Sequence, residues 1–117
     1  MKLLLAVVSL LLVACTASPT RPPLFVSGEG PVYPEAAKAQ RIEGYVEVEY
    51  DVTVDGVVED AHVVDAEPDG VFEDAALEAI RKWRYKPMVI KGEIQRAEDV
   101  HSILRFQLGE PDRYEDY

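Results

Sequence analysis

Two histidines and a neighbouring serine are the residues whose chemical types first suggest catalysis or metal binding. His62 and His101 lie far apart in the sequence, and no ligand cluster with the spacing of a metal site accompanies either of them. Ser102 follows His101 directly, but adjacent residues of a strand point to opposite faces, so these side chains cannot pair as base and nucleophile. We therefore expect both histidines to be surface residues of strands, and we predict no catalytic residues, no metal and no cofactor.

A second pattern, Asp51-Thr53-Asp55-Gly56, imitates the start of a calcium-binding loop. The position that would supply the bidentate glutamate of such a loop is His62, which offers no carboxylate. The same residues match a tight turn between two strands, because Asp-Gly supplies the positive φ angles of a hairpin. We interpret the pattern as a hairpin, and the chain is not predicted to be an enzyme.

The single cysteine, Cys15, ends an apolar run at the N-terminus. The run covers residues 3–14, follows one basic residue, Lys2, and is shorter than the roughly 20 apolar residues of a membrane-spanning helix. These features predict a secretory signal peptide over residues 1–14. The sequence LVA at residues 12–14, followed by the cysteine, resembles the lipobox of bacterial lipoproteins, in which the cysteine becomes the acylated first residue. An ordinary signal peptide with an accidental cysteine nearby is the alternative.

The composition excludes several classes of partner. Removal of residues 1–14 takes away one basic residue, Lys2, and leaves 11 Lys and Arg against 22 Asp and Glu. A chain this acidic, without a basic stripe, is not predicted to bind nucleic acid, which is bound largely through phosphate neutralisation. Anionic membrane surfaces should also repel it, so we expect membrane attachment through lipid on Cys15. One cysteine allows no intramolecular disulfide.

The remaining chain divides into three segments. Residues 15–30 are rich in Ser, Thr, Pro and Gly and predict a lipidated tether, which spans roughly 50 Å if extended as polyproline II. Residues 31–108 predict one small domain with a single core. Residues 109–117 are polar and acidic and predict a frayed tail.

The first half of the predicted domain has a helix followed by a hairpin. Pro34 suits the first turn of a helix and Gly44 suits the left-handed residue that ends one, so we predict a helix over residues 34–43. Asp55 and Gly56 form the turn between a strand that alternates apolar and polar residues and a returning strand. The apolar face of the first strand consists of Val46, Val48, Tyr50, Val52 and Val54.

The second half changes from strand to helix periodicity and back. Phe72 and Trp83 bound an apolar helical stripe, so both are expected to be core residues, and Pro87 stops the chain from continuing as a helix. Residues 100–108 alternate again and predict a third strand. The fold class is therefore α+β, with a small three-stranded antiparallel sheet packed against two helices.

The last strand is the best candidate for a binding site, because an accessible sheet edge accepts an extended peptide as an added strand. The residues expected to contact the partner peptide are Val100, His101, Ser102, Ile103, Leu104, Arg105, Phe106 and Gln107. The alternative is that this edge is already paired, either with another copy of the chain or with the preceding segment at residues 93–97.

Several motifs of the predicted domain occur together in a fixed order. VYPEAAKAQRIEG is followed by an alternating strand, by VDGVV, by PDGVFEDAALEAIRKWRYKP and by a closing ILRFQL. This combination resembles the C-terminal domain of the TonB family over residues 31–108. The most specific positions are Tyr33, Pro34, Gly44, Asp55, Gly56, Phe72, Ala75, Ala76, Ala79, Trp83, Arg84, Tyr85, Lys86 and Pro87.

The resemblance implies a periplasmic domain of two helices on a three-stranded antiparallel sheet. In that family the domain binds the TonB box, a short extended segment of outer-membrane transporters, which adds as a strand beside the last strand. That strand maps onto residues 100–108 here, the same edge that the alternation indicates. The resemblance also implies that Phe72 and Trp83 belong to the core and that Tyr33 and Pro34 fix the entry into the first helix.

The front of the chain departs from a full energy transducer of this family, which carries an uncleaved inner-membrane helix and a long Pro-rich spacer. Here the apolar run is short and the tether is brief, so we expect a lipid-anchored periplasmic domain. Thr16, rather than Asp, after Cys15 favours the outer membrane by the sorting pattern of bacterial lipoproteins.

Two functions are compatible with these features. The first is a transport-related domain that binds the TonB box of an outer-membrane transporter or another envelope protein. The second is a structural lipoprotein whose sheet edge closes on a second copy of the chain, giving a homodimer with no role in energy transduction.

Overall fold

The computed structural model describes residues 18–109. The predicted signal peptide, Cys15 and nearly all of the predicted acidic tail lie outside the described residues. The helices and strands, in chain order, are β1 Leu24–Ser27, α1 Glu35–Ala39, β2 Gly44–Val52, β3 Val58–Glu67, α2 Glu73–Arg81, β4 Arg84–Lys86, β5 Met88–Ile90, β6 Glu93–Gln95 and β7 Ala97–Phe106.

The centre of the fold is a three-stranded antiparallel sheet in the order β3-β2-β7. Residues of β2 alternate as predicted, because those pointing inward are at most 1% exposed and those between them are half-buried. The inward set is Val46, Val48, Tyr50 and Val52. Val54 was expected on the same face, but it lies in the turn beyond β2 and is 51% exposed. The predicted α+β fold class is confirmed.

The turn between β2 and β3 is the predicted hairpin at Asp55 and Gly56. Gly56 has a φ of 79°, in the left-handed region that favours glycine. The Thr53 hydroxyl accepts hydrogen bonds from the backbone N–H groups of Asp55 at 3.3 Å and Val57 at 3.1 Å. These two bonds fix the turn from within, as short polar side chains commonly do.

The core lies between the inner face of the sheet and helix α2, which packs on β3 and β2. Phe72, which directly precedes α2, is fully buried, and so are Ala76 and Ile80 on one face of the helix. Phe72 stacks on Phe106 of β7 with ring centroids 4.2 Å apart, and the edge of Tyr33 meets both rings. The aromatic cluster therefore joins the start of α2 to the end of β7.

Helix α1 is shorter than predicted. It covers Glu35–Ala39 rather than residues 34–43, and Arg41, with a φ of 56°, takes the left-handed conformation that was assigned to Gly44. Gly44 begins β2 instead, and a Cβ there would lie 1.9 Å from the carbonyl oxygen of Glu67 on β3. The glycine is required by a close approach between two strands, and not by the end of a helix.

Trp83 packs against the core, as the helical stripe predicted, but it is only half-buried. It lies beyond the end of α2. Its ring meets that of Phe25 edge to face, with the two ring centroids 5.3 Å apart, and its Nε1–H donates a hydrogen bond of 2.9 Å to the Glu29 carbonyl. A Cβ on Gly28 would lie 2.2 Å from the indole ring, so that glycine allows the chain to pass beside it. The indole therefore joins the N-terminal segment to the core.

The segment predicted to be a free tether is partly folded. Strand β1 pairs antiparallel with β4, with Leu24 opposite Lys86 and Phe25 opposite Tyr85. The folded part of the chain consequently begins before residue 31. The sequence did not predict this strand because its partner lies about 60 residues away along the chain.

Strands β5 and β6 form a second small hairpin, which extends from the end of the sheet where β7 begins. Residues 93–95 pair with β5, so they do not cover β7, and the alternative that residues 93–97 cover the edge of β7 is wrong. β7 itself begins at Ala97 rather than at residue 100 and ends at Phe106 rather than at residue 108.

The contrast between Phe72 and Phe25 gives a test of the core. Phe72→Ala removes a fully buried ring and should lower the free energy of unfolding by about 3–5 kcal/mol. Phe25→Ala should lower it by less than half as much, because Phe25 is 54% exposed. Urea unfolding of both variants checks this, and equal losses would contradict the assignment of the core.

Candidate functional site

The candidate site is the outer edge of β7. On its inner side β7 pairs with β2 in an unbroken register from Phe106 opposite Gly44 to Val100 opposite Tyr50. The register shifts only beyond this stretch, between Tyr50 and Val52. Within residues 18–109 no other strand pairs with β7, so its second row of backbone N–H and C=O groups has no strand partner there.

Side chains along this edge alternate between the two faces of the sheet as predicted. On the inner face Leu104 and Phe106 are buried, while Val100 and Ser102 are half-buried. The outer face carries the exposed residues His101, Ile103, Arg105 and Gln107. Ile103 is 53% exposed, which makes it the large apolar side chain available beside the edge. Seven of the eight predicted contact residues therefore lie in β7, with Gln107 one residue beyond its end, and four of the eight point into the domain or towards it.

Beneath the edge lies a cluster of three hydroxyl groups that was not predicted from the sequence. The hydroxyl of Tyr50 lies 2.7 Å from Ser102 Oγ and 2.5 Å from the hydroxyl of Tyr85. The pKa of Tyr85 is raised above its ordinary value, mainly by burial and to a smaller extent by the hydrogen bond with Tyr50. The cluster joins β2, β4 and β7, and it fixes the middle of the edge strand from below.

The outer face of the sheet places both histidines beside carboxylates. His101 has its Nδ1 3.3 Å from Glu47 and its Nε2 3.4 Å from Glu49, while His62 Nε2 lies 4.0 Å from Glu49. All four residues lie on neighbouring strands of an exposed surface. The part of the chain that the structure describes contains no group of three or more side chains arranged to hold a metal ion.

Arg96 fixes the beginning of β7. Its guanidinium donates to Asp51 at 2.8 Å, to Glu59 at 3.1 Å and to Asp60 at 3.1 Å, which joins β7 to both other strands of the sheet. The hydrogen bond from Arg96, with one from the backbone N–H of Asp99, lowers the pKa of Asp51. Charge-assisted hydrogen bonds of this kind are stronger than neutral ones, so the strand is held firmly at this end.

The opposite edge of the sheet, on β3, is a poorer template for an added strand. Its register with β2 shifts twice, between Glu47 and Val48 and between Glu49 and Asp51. Each edge strand has one residue in the left-handed conformation, Asp60 in β3 with a φ of 53° and Asp99 near the start of β7 with a φ of 55°, so the edges differ in register and charge. The exposed residues of β3 include four carboxylates, Glu59, Asp60, Asp65 and Glu67. Bulges and edge charges are features that prevent pairing with another chain.

The remaining positions singled out from the sequence are structural in this fold. Pro34 is the N-cap of α1, and Tyr33 donates a hydrogen bond from its hydroxyl to the carbonyl of Ile42. Asp55 lies in the β2–β3 turn, and Pro87 lies between β4 and β5. None of these four side chains lies on the outer face of β7. Within residues 18–109, no helix has the length and apolarity needed to cross a membrane.

Comparison with known proteins agrees with this geometry. Residues 29–108 match the family model described as Gram-negative bacterial TonB protein C-terminal. The chain belongs to this family. The resemblance carried by the sequence motifs is thereby confirmed, and so is the prediction that the chain is not an enzyme, because the members of this family are not enzymes.

Solved structures match the same fold. The solution NMR structure of the Pseudomonas aeruginosa TonB C-terminal domain is 32% identical, with a TM-score of 0.64, over 78% of this chain and 90% of that one. The TonB2 protein of Vibrio anguillarum is 30% identical, with a TM-score of 0.56, over 78% of this chain and 84% of that one.

Curated relatives are much longer than the matched region. Protein TonB of Escherichia coli strain K12 is 45% identical over 65 residues, which cover 56% of this chain and 27% of the relative. Protein TonB of Vibrio cholerae is 28% identical over 88 residues, which cover 75% of this chain and 36% of the relative. The similarity therefore concerns the C-terminal domain and does not extend to most of either relative.

The hydroxyl cluster predicts a difference in stability at high pH. Because the pKa of Tyr85 is higher in the folded chain than in the unfolded chain, its contribution is complete below about pH 10 and declines as the pH rises above that value. Between pH 10 and 11 the wild type should lose stability faster than Tyr85→Phe, by at most about 1.4 kcal/mol per pH unit.

Urea midpoints of the two proteins across this range measure the effect. The pKa values of Tyr33 and Tyr45 are also raised, but both residues are present in both proteins, so the difference in slope isolates Tyr85. Parallel slopes would show that Tyr85 is not shielded as the structure describes.

Proposed function

We propose that this domain binds an extended segment of an envelope partner, which adds as a fourth strand to the outer edge of β7. The observation that carries the proposal is the unbroken register of residues 100–106 with β2, combined with the absence of a strand partner on the other side within residues 18–109. Because the chain belongs to the TonB C-terminal family, the partner we propose is the TonB box of an outer-membrane transporter. The function is then a part in TonB-dependent transport across the outer membrane.

Backbone hydrogen bonds supply most of the affinity in this proposal. Alternate residues of an antiparallel edge strand direct both the N–H and the C=O outward, so each such residue makes two bonds to an added strand. A typical hydrogen bond contributes about 0.5–1.5 kcal/mol net, so several are needed for stable binding. The strand is prepared for this role, because Arg96 holds its start and the Tyr50 hydroxyl holds Ser102 at its middle.

Side chains on the outer face supply selectivity. Ile103 offers apolar contact to a side chain of the added strand, and Arg105 offers a positive charge to an acidic one. An exposed pair of this kind adds only about 0–1 kcal/mol, so Arg105 discriminates between partners more than it strengthens binding. His101 lies beside Glu47 and Glu49, which makes that part of the face unfavourable for an acidic segment.

We further propose that the domain is held in the periplasm by lipid on Cys15, at the outer membrane. The support is the apolar run that ends in LVA before Cys15, together with Thr16 after it. Stable anchoring requires two lipid signals, and a lipoprotein carries more than one acyl chain. The anchor supplies the membrane attachment that the acidic composition of the chain does not favour.

Proline substitution tests strand addition. Of the successive residues Ser102 and Ile103, one directs its N–H towards β2 and the other directs it outward. Proline at the outward position removes a donor from the edge without breaking the sheet, so this variant should stay folded and bind a TonB-box peptide at least about tenfold more weakly. Calorimetric titration of Ser102→Pro and Ile103→Pro with TonB-box peptides from transporters of the same organism measures the loss.

Ser102→Ala and Ile103→Ala are the matched controls, because alanine keeps the backbone N–H while removing the same side chain, so the folded variant with proline at the outward position should bind clearly more weakly than the alanine variant at that position. Wild-type affinity in every folded proline variant would contradict strand addition at β7. Gel filtration of the same proteins tests the alternative that the edge pairs with a second copy of the chain. In that case the wild type should run as a dimer and the folded proline variant as a monomer.

Replacement of the cysteine tests the anchor. Cys15→Ser removes the sulfur that carries the lipid, so the variant should take up no radioactive palmitate and should remain in the soluble fraction of the envelope. The wild type should be labelled and should sediment with membranes. Labelling of both proteins to the same extent would overturn the proposal.

A further inference from the structure

The segment before β1 is bound along the β5–β6 hairpin and is not free. Arg21 and Val89 exchange backbone hydrogen bonds of 2.8 and 3.0 Å, which forms an antiparallel bridge to β5. At the tip of the hairpin, the Gly92 N–H donates to the Pro19 carbonyl at 2.9 Å and the Lys91 N–H donates to Thr20 Oγ1 at 3.0 Å. The described chain therefore starts at the tip of this hairpin.

The two segments also fit closely at Gly92. A Cβ on this residue would lie 3.4 Å from the Cβ of Ser18, and Gly92 has a φ of 81°. From Ser18 onwards the chain continues along the hairpin to Arg21 and then into β1, where Phe25 meets Trp83. Contacts from residue 18 to residue 27 thus hold most of the predicted tether against the domain.

The bound segment leaves a very short leash. Two residues, Thr16 and Ala17, separate Cys15 from Ser18, and the three trans peptide units between them span at most about 11 Å. A fully extended tether of residues 15–30 would instead span roughly 50 Å. Given the proposed lipid on Cys15, the hairpin tip is the part of the domain that lies nearest to the membrane.

We propose that the β5–β6 hairpin is the surface with which this domain rests on the membrane, and that its occupant is the lipid head-group layer around the acylated Cys15. The inference rests on the proposed lipid anchor. It adds an orientation that the anchor alone does not specify, because a free tether of 16 residues would let the domain turn in any direction.

The chemistry of the hairpin end fits a phospholipid surface. The hairpin, residues 88–95, carries Lys91 against one carboxylate, Glu93, and Arg21 of the segment bound along it adds a second positive charge, although the whole chain has 22 Asp and Glu against 12 Lys and Arg. Arg21 and Lys91 are both exposed, and Ile94 is 57% exposed. This end combines positive charge with an exposed apolar side chain, as surfaces that lie against head groups do.

This orientation sets the direction of β7. The strand begins at Ala97, two residues after β6 ends, and runs to Phe106 at the opposite end of the sheet. The edge of β7 therefore starts near the membrane and leads away from it. Asp69, in the exposed loop between β3 and α2, lies at the far end, because β3 ends beside the start of β2.

Fluorescence quenching of the lipidated, full-length protein tests the orientation. Ile94→Cys and Asp69→Cys each introduce the one free thiol of the mature protein, because lipid blocks the sulfur of Cys15. Each variant is labelled with the same fluorophore and reconstituted into phosphatidylethanolamine–phosphatidylglycerol vesicles that carry nitroxides on their head groups. We expect a large loss of fluorescence at residue 94 and little loss at residue 69.

Flotation of the vesicles separates this inference from the proposed anchor. Protein that floats with the vesicles but keeps full fluorescence at residue 94, or loses as much at residue 69, would overturn the orientation and leave the anchor intact. Protein that does not float would overturn the anchor and, with it, the orientation.

A longer connection between Cys15 and Ser18 is the matched control, because it tests whether the short connection causes the orientation. Insertion of 15 Gly and Ser residues between Ala17 and Ser18 adds a flexible linker with a mean span of about 20 Å. The loss of fluorescence at residue 94 should then fall towards that at residue 69, while flotation is unchanged. Undiminished quenching in the lengthened protein would show that the bound segment does not set the orientation.

Discussion

The position of β2 between β3 and β7 is the constraint on which the rest of the structure depends. Its four inward side chains form the floor of the core, and α2 covers them with Phe72, Ala76 and Ile80. Its close pairing with β3 requires glycine at residue 44, where a Cβ would collide with the Glu67 carbonyl. A sheet of three strands with β2 at its centre necessarily has two edges, and their difference determines where a partner can bind.

The two edges differ in regularity and in charge. The β3 edge has two shifts of register and four exposed carboxylates, whereas residues 100–106 of β7 keep one register and carry mixed side chains. Arg96 and the hydroxyl cluster of Tyr50, Tyr85 and Ser102 reduce the freedom of β7 before a partner arrives. A preorganised strand loses less conformational entropy on binding, so more of the hydrogen-bond energy appears as affinity.

The sequence predicted the features that depend on local periodicity and failed on those that depend on distant contacts. Alternation in β2 and β7, the turn at Gly56 and the buried stripe of α2 are repeated within a few residues, so they are visible in the chain alone. Gly44 was assigned to a helix end because its true requirement is a carbonyl on another strand. Trp83 continues the helical stripe in sequence, but α2 ends at Arg81, so the indole is only half-buried against the core and also packs on the N-terminal segment.

The candidate edge on β7 was predicted from the sequence, whereas the contacts that support it and the course of the tether were not. The hydroxyl cluster brings together residues from three strands, and β1 pairs with a strand about 60 residues further along the chain. A segment rich in Pro, Ser and Gly has the composition of a linker, yet backbone hydrogen bonds to the β5–β6 hairpin and to β4 give it a fixed course. The composition of such a segment predicts how flexible it is in isolation. It does not predict whether the segment pairs with a strand edge elsewhere in the folded chain.

Site-resolved amide hydrogen exchange, recorded by NMR with and without a TonB-box peptide, tests strand addition most directly. The account predicts that alternate amides between residues 100 and 106 become protected when the peptide binds, because an added strand accepts hydrogen bonds from every second N–H. Amides of β3 and of α2 should exchange at unchanged rates. Protection that appears on β3 or around α2, with the outward amides of β7 unchanged, would contradict the central claim.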